Sequence, residues 1–162
     1  MRALWTVVAL LAALLLQSGI GIVAPGHGQA LDPFLLVVVY CGLTGGEAHG
    51  MLAGVGAGWV QDIHFGGSVA GLSALTKLIV GYGVGLAGSR FLIVGTATRL
   101  VAVFAATVAD AVLFDRLALV FEVPTSPLSV VSLLSRAAVN AFVGAAVFEA
   151  VDFRLRRREA RP

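Results

Sequence analysis

Residues 41–82 read CGLTGGEAHGMLAGVGAGWVQDIHFGGSVAGLSALTKLIVGY, and their interpretation decides the fold. Gly42, Gly46, Gly50, Gly54 and Gly58 recur at every fourth position, and the register runs on to Asp62. On a helix this spacing leaves a nearly straight groove without side chains, along which a second helix can approach backbone to backbone. Glycine costs roughly 1 kcal/mol per residue in a helix interior relative to alanine, so such a ladder implies a contact that offsets the cost. After Asp62 comes a polar, glycine-rich turn with His64, Gly66, Gly67 and Ser68. A second apolar run follows from Val69, with Lys77 well inside it.

The whole chain has the composition of a membrane protein. Of its 162 residues 59% are hydrophobic and 12% charged, against roughly a quarter charged in soluble domains. Its mean hydropathy is +0.97. Short connections between apolar runs leave no length for a separate soluble catalytic domain. The isoelectric point near 9.2 does not signal nucleic-acid binding, because the basic residues concentrate at the C-terminal end, where the positive-inside rule accounts for them. A single cysteine, Cys41, excludes an intrachain disulfide and supports no thiolate metal site.

The reading gives an all-α protein with six transmembrane helices, at about 3–23, 34–45, 47–61, 69–88, 92–120 and 128–152. The first run has a rival reading as a signal peptide, with Gly28-Gln29-Ala30 as the cleavage site, but it is longer than an ordinary signal core and is retained as a helix. Glu47 beside Gly45-Gly46 breaks the long run from Phe34 into two helices, which leaves Gly50, Gly54 and Gly58 as the continuous groove. The fifth helix exceeds a perpendicular span and is expected to tilt or protrude, with Asp115-Arg116 on its protruding part. Six spans place Arg2, Arg90, Arg154, Arg156, Arg157, Arg158 and Arg161 on one side and no lysine or arginine in the connections at 24–33, 62–68 and 121–127. This puts both termini in the cytoplasm. Trp5, Trp59 and Phe121 fall near the expected interfaces, as aromatic anchors do.

Charges inside the membrane are costly, roughly 2.5–3.5 kcal/mol each at mid-bilayer, and ask for partners. At 1.5 Å rise per residue, Lys77 and Arg136 lie about 12 Å, and Asp110 about 16 Å, inside the outer ends of their helices. Asn140 is one turn from Arg136. Structural pairing is the first expectation for this cluster; a polar cavity of net charge +1 that holds a small ligand is the second. Asp62 is expected to cap or hydrogen-bond across the outer turn, and Arg99 to snorkel. His27, His49 and His64 fall on different elements, which argues against a metal site. No nucleophile–base set or phosphate loop is present, and the GxGxG at 54–58 follows no strand; the reading is non-enzymatic, without cofactor.

Three segments, GVGAGWVQD at 54–62, HFGGSVAG at 64–71 and GLSALTKLIVGY at 71–82, together resemble the rod shape-determining membrane protein MreD family. The corresponding positions are Gly54, Gly58, Asp62, Gly71, Ala74, Leu75, Gly81 and Tyr82. The resemblance implies a scaffold of the bacterial cell elongation machinery in the cytoplasmic membrane. Its implied partners are the single-span protein MreC and, through it, actin-like MreB, the glycosyltransferase RodA and its transpeptidase. It also implies a six-helix fold like that of the S-components of energy-coupling-factor transporters, and with it a rival function as a small-solute-binding transporter subunit. The groove of Gly50, Gly54, Gly58, Gly71 and Gly81 is expected to be filled by the chain's own helices, by a second copy in a homodimer, or by the span of MreC. Membrane lipids complete the expected surroundings, and no nucleic acid is among them.

Overall fold

The computed structural model describes residues 2–23, 30–65, 69–90, 95–125 and 128–159. Its elements are α1 (Arg2–Val23), α2 (Pro33–Gly45), α3 (Glu47–His64), α4 (Leu72–Arg90), α5 (Thr96–Val120) and α6 (Val130–Glu159). Among the described residues there is no strand. Four helices, α1, α4, α5 and α6, are long and apolar enough to cross a membrane.

Side-chain contacts fix the directions of the helices. The rings of Phe34 and Phe65 lie 6.3 Å apart edge to face, so α2 begins where α3 ends. Thr6 Oγ1 is 3.1 Å from His49 Nε2 and Ser18 Oγ 3.4 Å from His64 Nε2, which sets α1 parallel to α3. Lys77 meets Asp110, while Arg99 Nη2 donates to Asp152 Oδ2 at 2.6 Å. Successive helices therefore alternate in direction, and α1 starts and α6 ends at the same end of the bundle. That end carries Arg90, Arg99 and Arg154 and is here termed the basic end.

The centre of the bundle is α2, which touches every other helix. Phe34, Leu35, Val38 and Val39 are fully buried on it. At 13 residues it is about 20 Å long, short for a hydrocarbon core about 30 Å thick, but its neighbours enclose it. One face packs with Ala13 of α1 and Ala57 of α3. The other joins Val80 and Val84 of α4, Val103 and Ala106 of α5, and Ala141 and Phe148 of α6. The break after α2 falls at Gly46, whose φ of +79° is a left-handed conformation that a side chain would strain.

Several boundaries differ from the sequence reading. α4 starts at Leu72 and not at 69, because Gly71 takes φ +96° and the Asp62 carboxylate stops the turn there. α5 starts at Thr96 after Gly95 as its cap, and not at 92. α3 runs on to His64, through Gln61 and Asp62. α6 continues past 152 to Glu159, since arginine and glutamate propagate a helix well and the end of an apolar run does not end the backbone ladder. At 30 residues it is about 45 Å long and so exceeds the hydrocarbon thickness. Asp115 and Arg116 lie within regular α5. Gly28 and Gln29 of the rival cleavage site, His27, and Gly66, Gly67 and Ser68 of the outer turn lie outside the described residues.

Candidate functional site

Two constructions organise the interior: a charge cluster toward the end opposite the basic one, and a glycine groove between α3 and α4 that extends to Gly85 at the basic end. The first begins with Asp32, which precedes Pro33 and caps α2: its Oδ1 accepts from the Leu35 N–H at 3.0 Å. The Asp32 N–H donates to Asn140 Oδ1 of α6 at 2.9 Å. Its Oδ2 lies 2.9 Å from Lys77 Nζ and 3.8 Å from Arg136 Nη2. Lys77 Nζ also donates to Asp110 Oδ2 at 3.2 Å. Asp32, Lys77, Asp110 and Asn140 are all at most 4% exposed, whereas the Arg136 side chain, at 28%, still reaches the surface.

Sequence reasoning placed Lys77, Asp110, Arg136 and Asn140 at one depth but missed Asp32, the residue that joins them. The expected net charge of +1 is therefore corrected: two carboxylates face two cations, and the set is neutral. The missed signal was Asp-Pro at 32–33, the cap-then-proline pattern of a helix start. Because α4 starts at Leu72, Lys77 is also nearer its helix end than expected, about 8 Å along. In hydrocarbon an unpaired ion of either sign is expensive, so the four charges pin α2, α4, α5 and α6 at one level. Asp110 Oδ1, Arg136 Nε and Asn140 Nδ2 are buried without a protein partner, and each would be met by water or would cost about 1–3 kcal/mol.

The second construction is the glycine groove, which α4 of the same chain fills. A Cβ on Gly50 would fall on the Gly81 carbonyl, one on Gly81 on the Gly50 carbonyl, one on Gly54 on the Lys77 carbonyl, and one on Gly58 on the backbone of Ala74. Gly85 meets the Glu47 backbone in the same way. The helices approach so closely that only hydrogen fits between them, which is how van der Waals contact holds helices together in lipid. Gly42, on α2, packs on α4 from the other side, and Gly46 is the break itself. Gly71 is no part of the groove: its left-handed φ makes the turn into α4.

Asp62 closes that turn. Its Oδ2 accepts from the Gly71 N–H at 2.8 Å and from the Ser73 N–H at 3.1 Å, so a carboxylate from α3 satisfies the exposed amides at the start of α4. Arg99, expected to snorkel, pairs with Asp152 of α6 toward the basic end and is half-buried there. Trp5, Trp59 and Phe121 are exposed near the helix ends. Among the described residues no group of three or more histidine, cysteine, aspartate or glutamate side chains is placed to hold a metal ion.

The comparisons now bear on this architecture. Residues 1–144 match the family model of the rod shape-determining protein MreD, which takes in α1 to α5 and the part of α6 that carries Arg136 and Asn140. The curated proteins and the solved structures give no significant match. With the glycine-packed α3–α4 pair and most of the chain inside the matched region, this multi-pass helical membrane protein belongs to the MreD family, whose members determine rod shape as structural proteins of the membrane.

Proposed function

We propose that the protein is a non-enzymatic scaffold of the cell elongation machinery in the bacterial cytoplasmic membrane. It binds MreC there and, through it, helps position MreB, RodA and the transpeptidase. The observation that carries this reading is that the chain uses its own polar and close-packing devices internally. The glycine groove is filled, the intramembrane charges are paired, and Asp62 is engaged. What is left for partners is the apolar outside, including Leu11 and Leu15 of α1, Leu52 of α3 and Phe142 of α6. In lipid such faces associate by shape and not by hydrophobic drive. The basic end is the cytoplasmic one on the positive-inside rule.

The test is co-purification of the full chain with MreC, followed by cysteine crosslinking from Leu11, Leu15, Leu52 and Phe142. The buried Cys41 leaves little background. Crosslinks to the MreC span from one face support the scaffold. Crosslinks only between copies of this chain support a homodimer instead, and capture of neither sinks the proposal.

The rival reading, an S-component-like subunit with an S-component fold, draws on the three unpartnered polar atoms at the charge cluster. Against it, Lys77 already faces two carboxylates of the chain, so an acidic solute would have to displace them. A ligand at a hundredfold excess over Kd would add about 2.7 kcal/mol of stability. A flat melting midpoint across vitamins and metal ions leaves the scaffold.

A further inference from the structure

A trough runs down the lipid-facing side between α4 and α5 toward the basic end, a cavity of about 370 Å³. Leu43 of α2 forms its floor, Gly83 and Ala87 one wall, Ala102, Ala105 and Ala109 the other. A second hollow shares Gly83 and Ala87 and reaches Arg90. Gly83, Ala87 and Arg90 stand at i, i+4 and i+7, so the cation lies on the trough's own face at its mouth. Arg90 is exposed and makes no ion pair among the described residues, whereas Arg99, at the same end, is held by Asp152.

Gly83 differs from the glycines that pack α3 on α4. A Cβ there would meet nothing within 4 Å, so no atom of the chain requires a glycine at this position. The floor and walls are apolar and offer water no partners. In a bilayer such a hollow fills with something apolar and slender. An apolar trough with an unpaired cation at its mouth matches an occupant that is apolar along its length and anionic at one end.

We propose that the α4–α5 trough binds one anionic phospholipid of the leaflet at the basic end, with an acyl chain lying over Gly83 and the phosphate paired with Arg90. This lipid site stands independently of the MreC proposal. The purified full-length protein in detergent is titrated with phosphatidylglycerol and, separately, with phosphatidylcholine, and bound lipids are counted by native mass spectrometry. One phosphatidylglycerol is retained in preference to phosphatidylcholine. Arg90→Gln lowers the phosphatidylglycerol affinity about fivefold, the worth of one basic residue near anionic lipid, and leaves phosphatidylcholine unchanged. Gly83→Leu and Ala105→Leu, which fill the trough from opposite walls, remove the tight site for both lipids. Their melting midpoints stay near that of the parent, because Gly83 has open space beside it and Ala105 is exposed. Retention of phosphatidylglycerol at parental affinity by both filled variants overturns the proposal. So does an Arg90→Gln variant with unchanged lipid preference, or a dimer that the filled variants dissociate, since the occupant would then be a second copy.

Discussion

Asp32 shows how one residue can do three things at once: its carboxylate caps α2 and pairs with Lys77, and its backbone N–H donates to Asn140. Removing one member of such a buried set leaves an uncompensated charge, which costs about 3–5 kcal/mol. Asp110→Ala should therefore lower folded yield and melting midpoint far more than Glu122→Ala, which alters only an exposed turn residue. The double variant Lys77→Met/Asp110→Leu should recover much of the loss, because Arg136 still faces Asp32 and the remaining pair is balanced. Equal tolerance of Asp110→Ala and Glu122→Ala would show that the cluster does not hold the helices. Asp62 works at closer range. Asp62→Ala strands the Gly71 and Ser73 amides and should cost about 1.5–3 kcal/mol, as charged hydrogen bonds do, with Asp62→Asn losing less; both are read from detergent melting curves.

At the scale of the element, the pair α3–α4 is set by glycines that touch backbone and not side chains. Gly54→Ala should destabilise by about 1–3 kcal/mol or more, since its new methyl meets the Lys77 carbonyl of a rigid helix. Gly83→Ala, one turn beyond Ile79 on the open side, should be neutral or gain up to about 1 kcal/mol from helix propensity. Melting midpoints of the two variants side by side separate packing from propensity. A Gly54→Ala protein as stable as Gly83→Ala would mean that the two helices are not in contact. The ladder was legible as a packing surface from its spacing. Its occupant was not, because a groove without side chains admits any helix equally well, and only the turn at Gly71 and Asp62 folds α4 back onto it.

For the whole molecule, alternation of six helices brings the start of α1 and the end of α6 to the end that carries Arg90, Arg99 and Arg154. The proposed orientation, from the positive-inside rule, puts this end in the cytoplasm. Ile63→Cys, at the exposed end of α3, should then react with a membrane-impermeant thiol reagent in intact spheroplasts. Ser89→Cys, at the basic end, should react only after lysis. The reverse pattern would invert the topology, and labelling of both would mean that α4 does not cross the membrane between them. Helices α2 to α4 form one closely packed body with α1 along its side, and the α5–α6 hairpin joins it through the charge cluster near one end and the apolar packing around α2. Between those attachments and the basic end lies the trough beside Leu43.

The sequence by itself determined that this chain lives in a membrane, that it has six helices, and that Gly50, Gly54 and Gly58 make a surface for close helix packing, because hydropathy and four-residue spacing are local properties of the chain. It also grouped Lys77, Asp110, Arg136 and Asn140 as one cluster. Only the tertiary structure decided that α2 is the hub, that Asp32 balances the cluster, and that α4 occupies the glycine groove. Those facts depend on which helices become neighbours, and neighbours far apart in sequence leave no local pattern: Asp32 and Asn140, joined by one hydrogen bond, stand 108 positions apart.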